Sequence, residues 1–349
     1  MVSFNALAAT ALLAFAALVS ASPAPAADAQ GRPPIHPLRT DPPPSTHRRP
    51  IHPLRDSGSP DTLSVAHLRA SVHPVRNATR PDSLAPVPIN YHLGAPVLTR
   101  YLTVYLIYYG KWTTQQRAIV EDFVKGLGAS SWYAINKKYY YQARATSGKV
   151  FVQTPVVLAG TASDNYSLGK ALSGNALPNI IQAQINARTL PEDTDGVYFV
   201  MVSDDVTESI RNDFDPGTFG VDYCGYHLSW PLKSGKRIFY AMVGNIWAVR
   251  NACAPPGNHD VSPNGDPGVD GALSVLAHEL VEAVTDPISD GTRAWEDANR
   301  DENADKCAYT YGPTSRASNG AFYNMGWNGR NYLIQQNWDP VKQACAVSA

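Results

Sequence analysis

The sequence has no excess of either charge: 29 Lys and Arg stand against 30 Asp and Glu, a formal net charge of -1. A near-neutral chain projects no basic field, so nucleic acid is not an expected partner. No apolar run is long enough to cross a bilayer; the one near residues 6–19 falls short of the roughly 20 residues a spanning helix needs, and a membrane-held chain is not expected either. Cysteine is sparse. The four, Cys224, Cys253, Cys307 and Cys345, include no C-x-x-C pair, which argues against a closed thiolate zinc site. Also missing are a G-x-S-x-G elbow, a Gly-rich phosphate loop and a Cys-His nucleophile pair, so serine-hydrolase, nucleotide and cysteine-protease chemistry have no footing.

What is present points first to export. The uncharged apolar run is followed by Val19-Ser20-Ala21, small residues of the kind signal peptidase accepts, so residues 1–21 read as a signal peptide cut after Ala21. An even cysteine count in a secreted chain reads as disulfides. Of three possible pairings, Cys224 with Cys253 and Cys307 with Cys345 close the smaller loops. The sequons at Asn77 and Asn165 suit a secretory route and mark candidate glycosylation sites.

Residues 22–88 are rich in Pro, Ala, Ser and Arg, with too few clustered large apolar groups to offset the entropy of ordering them, and read as a disordered propeptide or linker. A pentapeptide recurs in this stretch: Ile-His-Pro-Leu-Arg at 35–39 and again at 51–55, with a looser Val-His-Pro-Val-Arg at 72–76. The copies read as a basic spacer or as short linear motifs. Five of the nine histidines fall here and are expected to lie outside any ordered site.

Residues 89–349 have the texture of one globular domain. Strands are expected at 102–109, 150–158, 196–202 and 237–243, an edge strand at 220–230, and helices at 113–127 behind a Thr cap, at 168–187 and from 270 onward. That order suits an α/β or α+β layer fold, a single domain with a mixed β-sheet.

The last helix carries the chemistry. Asp270 reads as its N-cap and Pro287 as its stop. Leu273, Leu276, Leu280 and Val284 fall on one stripe, while His278, Glu282 and Asp286 fall on the other side. His278 and Glu282 are one turn apart and can converge on one ion, with Glu279 between them as general base: the H-E-x-x-H zinc-peptidase arrangement with Glu in the second ligand position. A third ligand is expected from the acidic segment after the helix, from Glu302, Asp305 or Asp297. Zinc is the expected ion. Calcium is a weaker alternative, because 297–301 matches only the first positions of a calcium loop. Against both stands a bland reading, that His278, Glu279 and Glu282 form an ordinary solvated helix face.

The stretches YHLGAPVL (91–98), LTVYLIYYGKWTTQQRAIVEDF (102–123), YSLGKAL (166–172), PNGDPGVDG (263–271), AVTDP (283–287) and YNMGWNGRNYL (323–333) run in order along the domain. In them the chain resembles the Exordium-like, phosphate-induced family of secreted plant growth proteins. The resemblance implies an extracellular or cell-wall location and a link to cell expansion. Land-plant members lack the His and both Glu found here at 278, 279 and 282. The chain looks more like microbial relatives in which H-E-x-x-E-A-x-T-D-P is followed by Trp, Asp, Glu and Asp-x-Cys, matched by Trp295, Asp297, Glu302 and Asp305-Lys306-Cys307. Such members look like zinc peptidases, which implies a zincin-like domain. The expected activity is a metallopeptidase-like hydrolase acting on peptide or cell-wall substrates; the alternative is a non-catalytic binding or signalling protein with a structural ion.

Overall fold

A computed structural model describes residues 72–76, 87–153, 155–212, 215–288 and 293–349. The leader, the first two pentapeptide copies and Asn77 lie outside the described residues. The elements that position the site are, in chain order, β1 (Val72–Pro74), β2 (Leu102–Tyr109), α1 (Thr114–Leu127), β3 (Val156–Asp164), α2 (Ala176–Asn186), β4 (Val197–Val202), β5 (Tyr223–Pro231), β6 (Arg237–Gly244) and α3 (Pro267–Thr285).

The β-branched and aromatic run LTVYLIYY forms β2, an interior strand of a six-stranded sheet ordered β1-β5-β6-β4-β2-β3. β6, β4, β2 and β3 run parallel, whereas β5 and β1 pair antiparallel. Parallel neighbours need a crossover, and α1 supplies it between β2 and β3. β4, VYFVMV, is buried at every position, as a parallel strand covered on both faces must be. The result is a mixed α+β architecture. Two disulfides, Cys224–Cys253 and Cys307–Cys345, join the pairs that loop closure favours. Among the described residues no helix is long and apolar enough to cross a membrane.

Local chemistry explains most boundaries. α1 starts at a capping box: the Thr113 hydroxyl accepts from the Gln116 amide at 3.2 Å, and the Gln116 side chain accepts from the Thr113 amide at 3.0 Å. The helix expected over 168–187 is shorter. It begins at Ala176, after a strand Ala171–Ser173 and a turn at Gly174, whose φ of 55° suits a residue without a side chain. The strand expected over 150–158 is two strands, Val150–Phe151 and β3, with Pro155 between them.

Three further expectations are corrected. The helix cap is Asp266, whose carboxylate accepts from the Val269 amide at 3.0 Å; Pro267 takes the first helical position, where its missing N–H costs nothing. Asp270, expected as the cap, instead accepts from the Ser262 hydroxyl and from the Asn264 amide and side chain. The 220–230 strand is not at an edge. Its outer side is paired by β1, drawn from a segment whose composition reads as disordered. Finally, α3 has no solvated face. Every residue from Gly268 to Thr285 is buried, because strands β1, β5 and β6 of the sheet, helix α1 and the segments after residue 293 all pack against the helix.

Candidate metal centre

His278, Glu279 and Glu282 are each 0% exposed, which removes the reading of a solvated helix face. Their i, i+4 spacing brings His278 Nε2 to 3.1 Å from Glu282 Oε1. Asp286 follows at the end of the helix. Its Oδ1 accepts from the amides of Ala294 and Trp295, turning the chain back toward α3 after Pro287. Trp295–Glu296 then pairs with Asn90–Tyr91, and the acidic segment returns across the helix. There the Asp305 amide donates to Glu282 Oε1 at 3.0 Å, and Asp305 Oδ1 stands 3.4 Å from His278 Nε2. The Cys307–Cys345 disulfide anchors this loop two residues further on.

These separations have the scale of a coordination shell. Ligand atoms about 2.0–2.2 Å from a tetrahedral zinc stand roughly 3.3–3.6 Å from one another. Ligand atoms of His278, Glu282 and Asp305 lie within 4.8 Å of one another, and among the described residues His278 Nε2 has no hydrogen-bond partner although both carboxylates stand beside it. A second group shares Glu282: His227, Glu279 and Glu282 also have ligand atoms within 4.8 Å. His227 comes from β5, and its Nδ1 lies 3.2 Å from Glu279 Oε2 and 3.5 Å from Glu282 Oε2. Gly225 makes this approach possible. A Cβ there would fall 2.5 Å from Val275 Cγ1 and 3.2 Å from Glu279 Oε1.

The other expected ligands divide. Glu302 is fully buried in the same locus, but its Oε1 faces His227 Nε2 at 3.7 Å and Arg293 Nε at 3.6 Å and belongs to neither group. Asp297 stands apart. Its Oδ1 accepts from the amides of Asn299 and Asp301, and its Oδ2 is paired with Lys306 Nζ at 2.5 Å, so the protein's own cation faces the loop that resembles a calcium site. Asn165 is exposed on the surface.

Burial dominates the electrostatics. It holds Glu279, Glu282 and Glu302 well above the usual carboxylate range, and neighbouring negative charge adds to this, Asp305 foremost for Glu282. Burial pushes Asp286 up to about 7. Burial, then the nearby Arg293 charge, pushes His227 down to about 3. Arg293 is itself buried, and Glu302, Asp286, Asp305 and Glu296 together hold it charged. One guanidinium cannot balance this many carboxylates in a dry site. Among the described residues, the Glu302 carboxylate oxygens, Glu282 Oε2 and both His278 ring nitrogens find no hydrogen-bond partner. The donor set fits a divalent cation.

Sequence reasoning missed His227 and His73. His227 was legible in principle as the one histidine inside a largely apolar strand, YCGYHLSWP. His73 was discounted with the other linker histidines, yet it is 1% exposed, its amide donates to Glu279 Oε1 at 3.2 Å and its ring centroid is 4.4 Å from that of His278.

The family described as "Phosphate-induced protein 1 conserved region" matches residues 89–348. The chain belongs to this family. The EXORDIUM-like 3 protein of Arabidopsis thaliana is 32% identical over 292 residues, covering 74% of this chain and 82% of that protein. Protein PHOSPHATE-INDUCED 1 of Nicotiana tabacum is 29% identical over 294 residues, 74% of this chain and 88% of its own, and protein EXORDIUM of Arabidopsis thaliana is 27% identical over 296 residues, with the same two shares. No solved structure matches the chain. The match begins at residue 89, so β1 lies outside the family's conserved region although it closes this member's site.

Proposed function

We propose that this member of the family is a secreted, zinc-dependent, zincin-like hydrolase of extracellular or cell-wall peptides, with His278, Glu282 and Asp305 as the metal ligands and Glu279 as the general base. The observation that carries the reading is the buried trio of ligand atoms at coordination-shell separations, with Glu279 one residue from the first ligand. Asp305 fits the third position better than Glu302, which is turned to Arg293. Zinc held there would polarise a substrate carbonyl and lower the pKa of a bound water.

Glu279 is oriented from β5 and covered from β1. His227 Nδ1 donates to one carboxylate oxygen at 3.2 Å, and a backbone amide occupies the other. Its raised affinity for protons, set by burial, suits a group that must take one from water and return it to a leaving amide near neutral pH. His227 orients Glu279, and Glu302 with Arg293 stands behind His227.

A second reading has one observation in its favour: complete burial suits an extracellular binding or signalling protein that keeps a structural ion. Metal analysis of the purified chain beside His278→Ala and Glu279→Gln separates the two. Under the hydrolase reading the wild type carries about one zinc per chain, His278→Ala loses it, and Glu279→Gln keeps it while cleavage of a peptide library falls by 100-fold or more, toward the upper part of the roughly 10²–10⁴ range of general acid-base catalysis. A wild type without stoichiometric metal sinks both readings. Zinc without cleavage leaves the binding protein.

A further inference from the structure

We propose that the groove over Glu279 is a peptide-docking site selective for His-Pro-aliphatic-Arg, and that residues 72–76 fill it in the intact chain and so shield Glu279 from other peptides. The three pentapeptide copies share only His, Pro and Arg, with an aliphatic residue first and fourth. In the copy the structure describes, each shared residue has its own partner. The His73 ring bonds Gln335 Oε1 through Nε2 at 3.1 Å, and its amide donates to Glu279. The Pro74 carbonyl accepts from the Tyr309 hydroxyl at 3.0 Å, and the pairing with β5 shifts register at this residue, so a proline costs no ladder bond. Val75 packs against the core.

Arg76 is the far anchor. Its amide donates to the Ala252 carbonyl at 2.8 Å, and its guanidinium reaches the carbonyls of Asn251 at 2.9 Å and Ala254 at 3.4 Å. An edge strand that merely capped the sheet would need backbone pairing alone. Here main-chain bonds to β5 give attachment and side-chain contacts give selectivity, the division of labour seen when a peptide adds a strand to a sheet. His73 lies opposite Gly225, where the absent side chain leaves room beside Glu279. Copies 35–39 and 51–55 carry the same determinants in sequence. The groove therefore has three ligands in its own chain. The shielding rests on Glu279 being the base; the docking does not.

The test uses the full chain with His36, His52, His73, Arg39, Arg55 and Arg76 all changed to Ala, and a fluorescein-labelled Ile-His-Pro-Leu-Arg probe followed by anisotropy with chelator present. The silenced chain should bind the probe saturably. The wild type should bind at least about tenfold more weakly, because its own copies compete at high effective concentration. A probe with Ala in place of His or Arg should lose about tenfold, the worth of one or two good hydrogen bonds. A natively folded silenced chain that does not bind the probe overturns the proposal.

Should that chain fail to fold, hydrogen exchange of residues 72–76 in the wild type decides: excess free pentapeptide should speed it, and unchanged exchange overturns the proposal. In the metal-loaded silenced chain, peptide hydrolysis should exceed that of the wild type and fall when the pentapeptide is added back. A silenced chain that binds the probe but never hydrolyses peptide removes the shielding and the hydrolase reading together, and leaves the docking groove standing.

Discussion

Glu208 is buried outside the candidate metal centre, with the Tyr223 hydroxyl donating to one carboxylate oxygen at 2.5 Å and the Tyr226 hydroxyl to the other at 3.1 Å. Burial outweighs these two bonds and pushes its pKa up to about 7. The folded chain therefore holds a proton that the unfolded chain has released over the interval from about 4.5 to about 7, and folding stability falls as pH rises through it. Glu208→Gln removes that slope. Urea unfolding of the disulfide-intact chain at pH 4.5 and 7.5 should show the wild type losing up to about 3 kcal/mol more than the variant between the two conditions. Equal losses would mean that Glu208 ionises as freely in the folded chain as in the unfolded one. At the same scale lies the sharpest difference between sequence and structure. Asp297, Glu302 and Asp305 are all carboxylates within one nine-residue stretch, and only the three-dimensional path gives Asp297 to Lys306, Glu302 to Arg293 and Asp305 to His278.

Among the elements, α3 was legible as a helix because its leucine stripe and terminal proline are local signals. Its start was misjudged by four residues because two aspartates, Asp266 and Asp270, both satisfy the local rule for a cap. The two make different predictions. Asp266→Ala should cost about 1–2 kcal/mol by losing the cap and, with it, the 3.0 Å bond from the Gln116 side chain of α1. Asp270→Ala should cost a similar or larger amount by another route, since it leaves the buried Ser262 hydroxyl without its acceptor, at about 1–3 kcal/mol for such a group, and removes two bonds from half-buried Asn264. Restoring a cap distinguishes them: Asp266→Asn should recover most of the loss in a thermal melt, while Asp270→Asn should not, because Asp270 is buried and accepts from three donors, so an amide nitrogen in place of either oxygen would face a donor away from water. β5 shows the opposite failure. Its strand character was readable, but its place inside the sheet was not, since the partner β1 comes from a Pro-rich segment with no strand pattern of its own.

For the whole molecule, the metal reading predicts a coupling between ion and fold. A cation bound only by the folded chain adds stability as RT ln(1 + [L]/Kd), about 4 kcal/mol at a thousandfold excess over Kd. For a domain of this size that corresponds to roughly 8–16 °C in Tm. Chelator should lower the wild-type melting temperature on that scale and leave His278→Ala unmoved. A wild type whose melt ignores both chelator and added zinc would count against an ion at this site.

The sequence by itself determined what depends on neighbours in the chain: the family, through ordered motifs; the strand and helix types, through apolar periodicity; and the pairing of His278 with Glu282, through the pitch of a helix. The tertiary structure alone decided what depends on residues far apart. It sealed the polar side of α3, chose Asp305 over Asp297, brought in His227 from a strand more than forty residues upstream, and laid a linker pentapeptide across Glu279. The reason is physical. A side chain's periodicity states which way it points, but its partner is fixed only when distant segments pack together, and buried charges accept few partners.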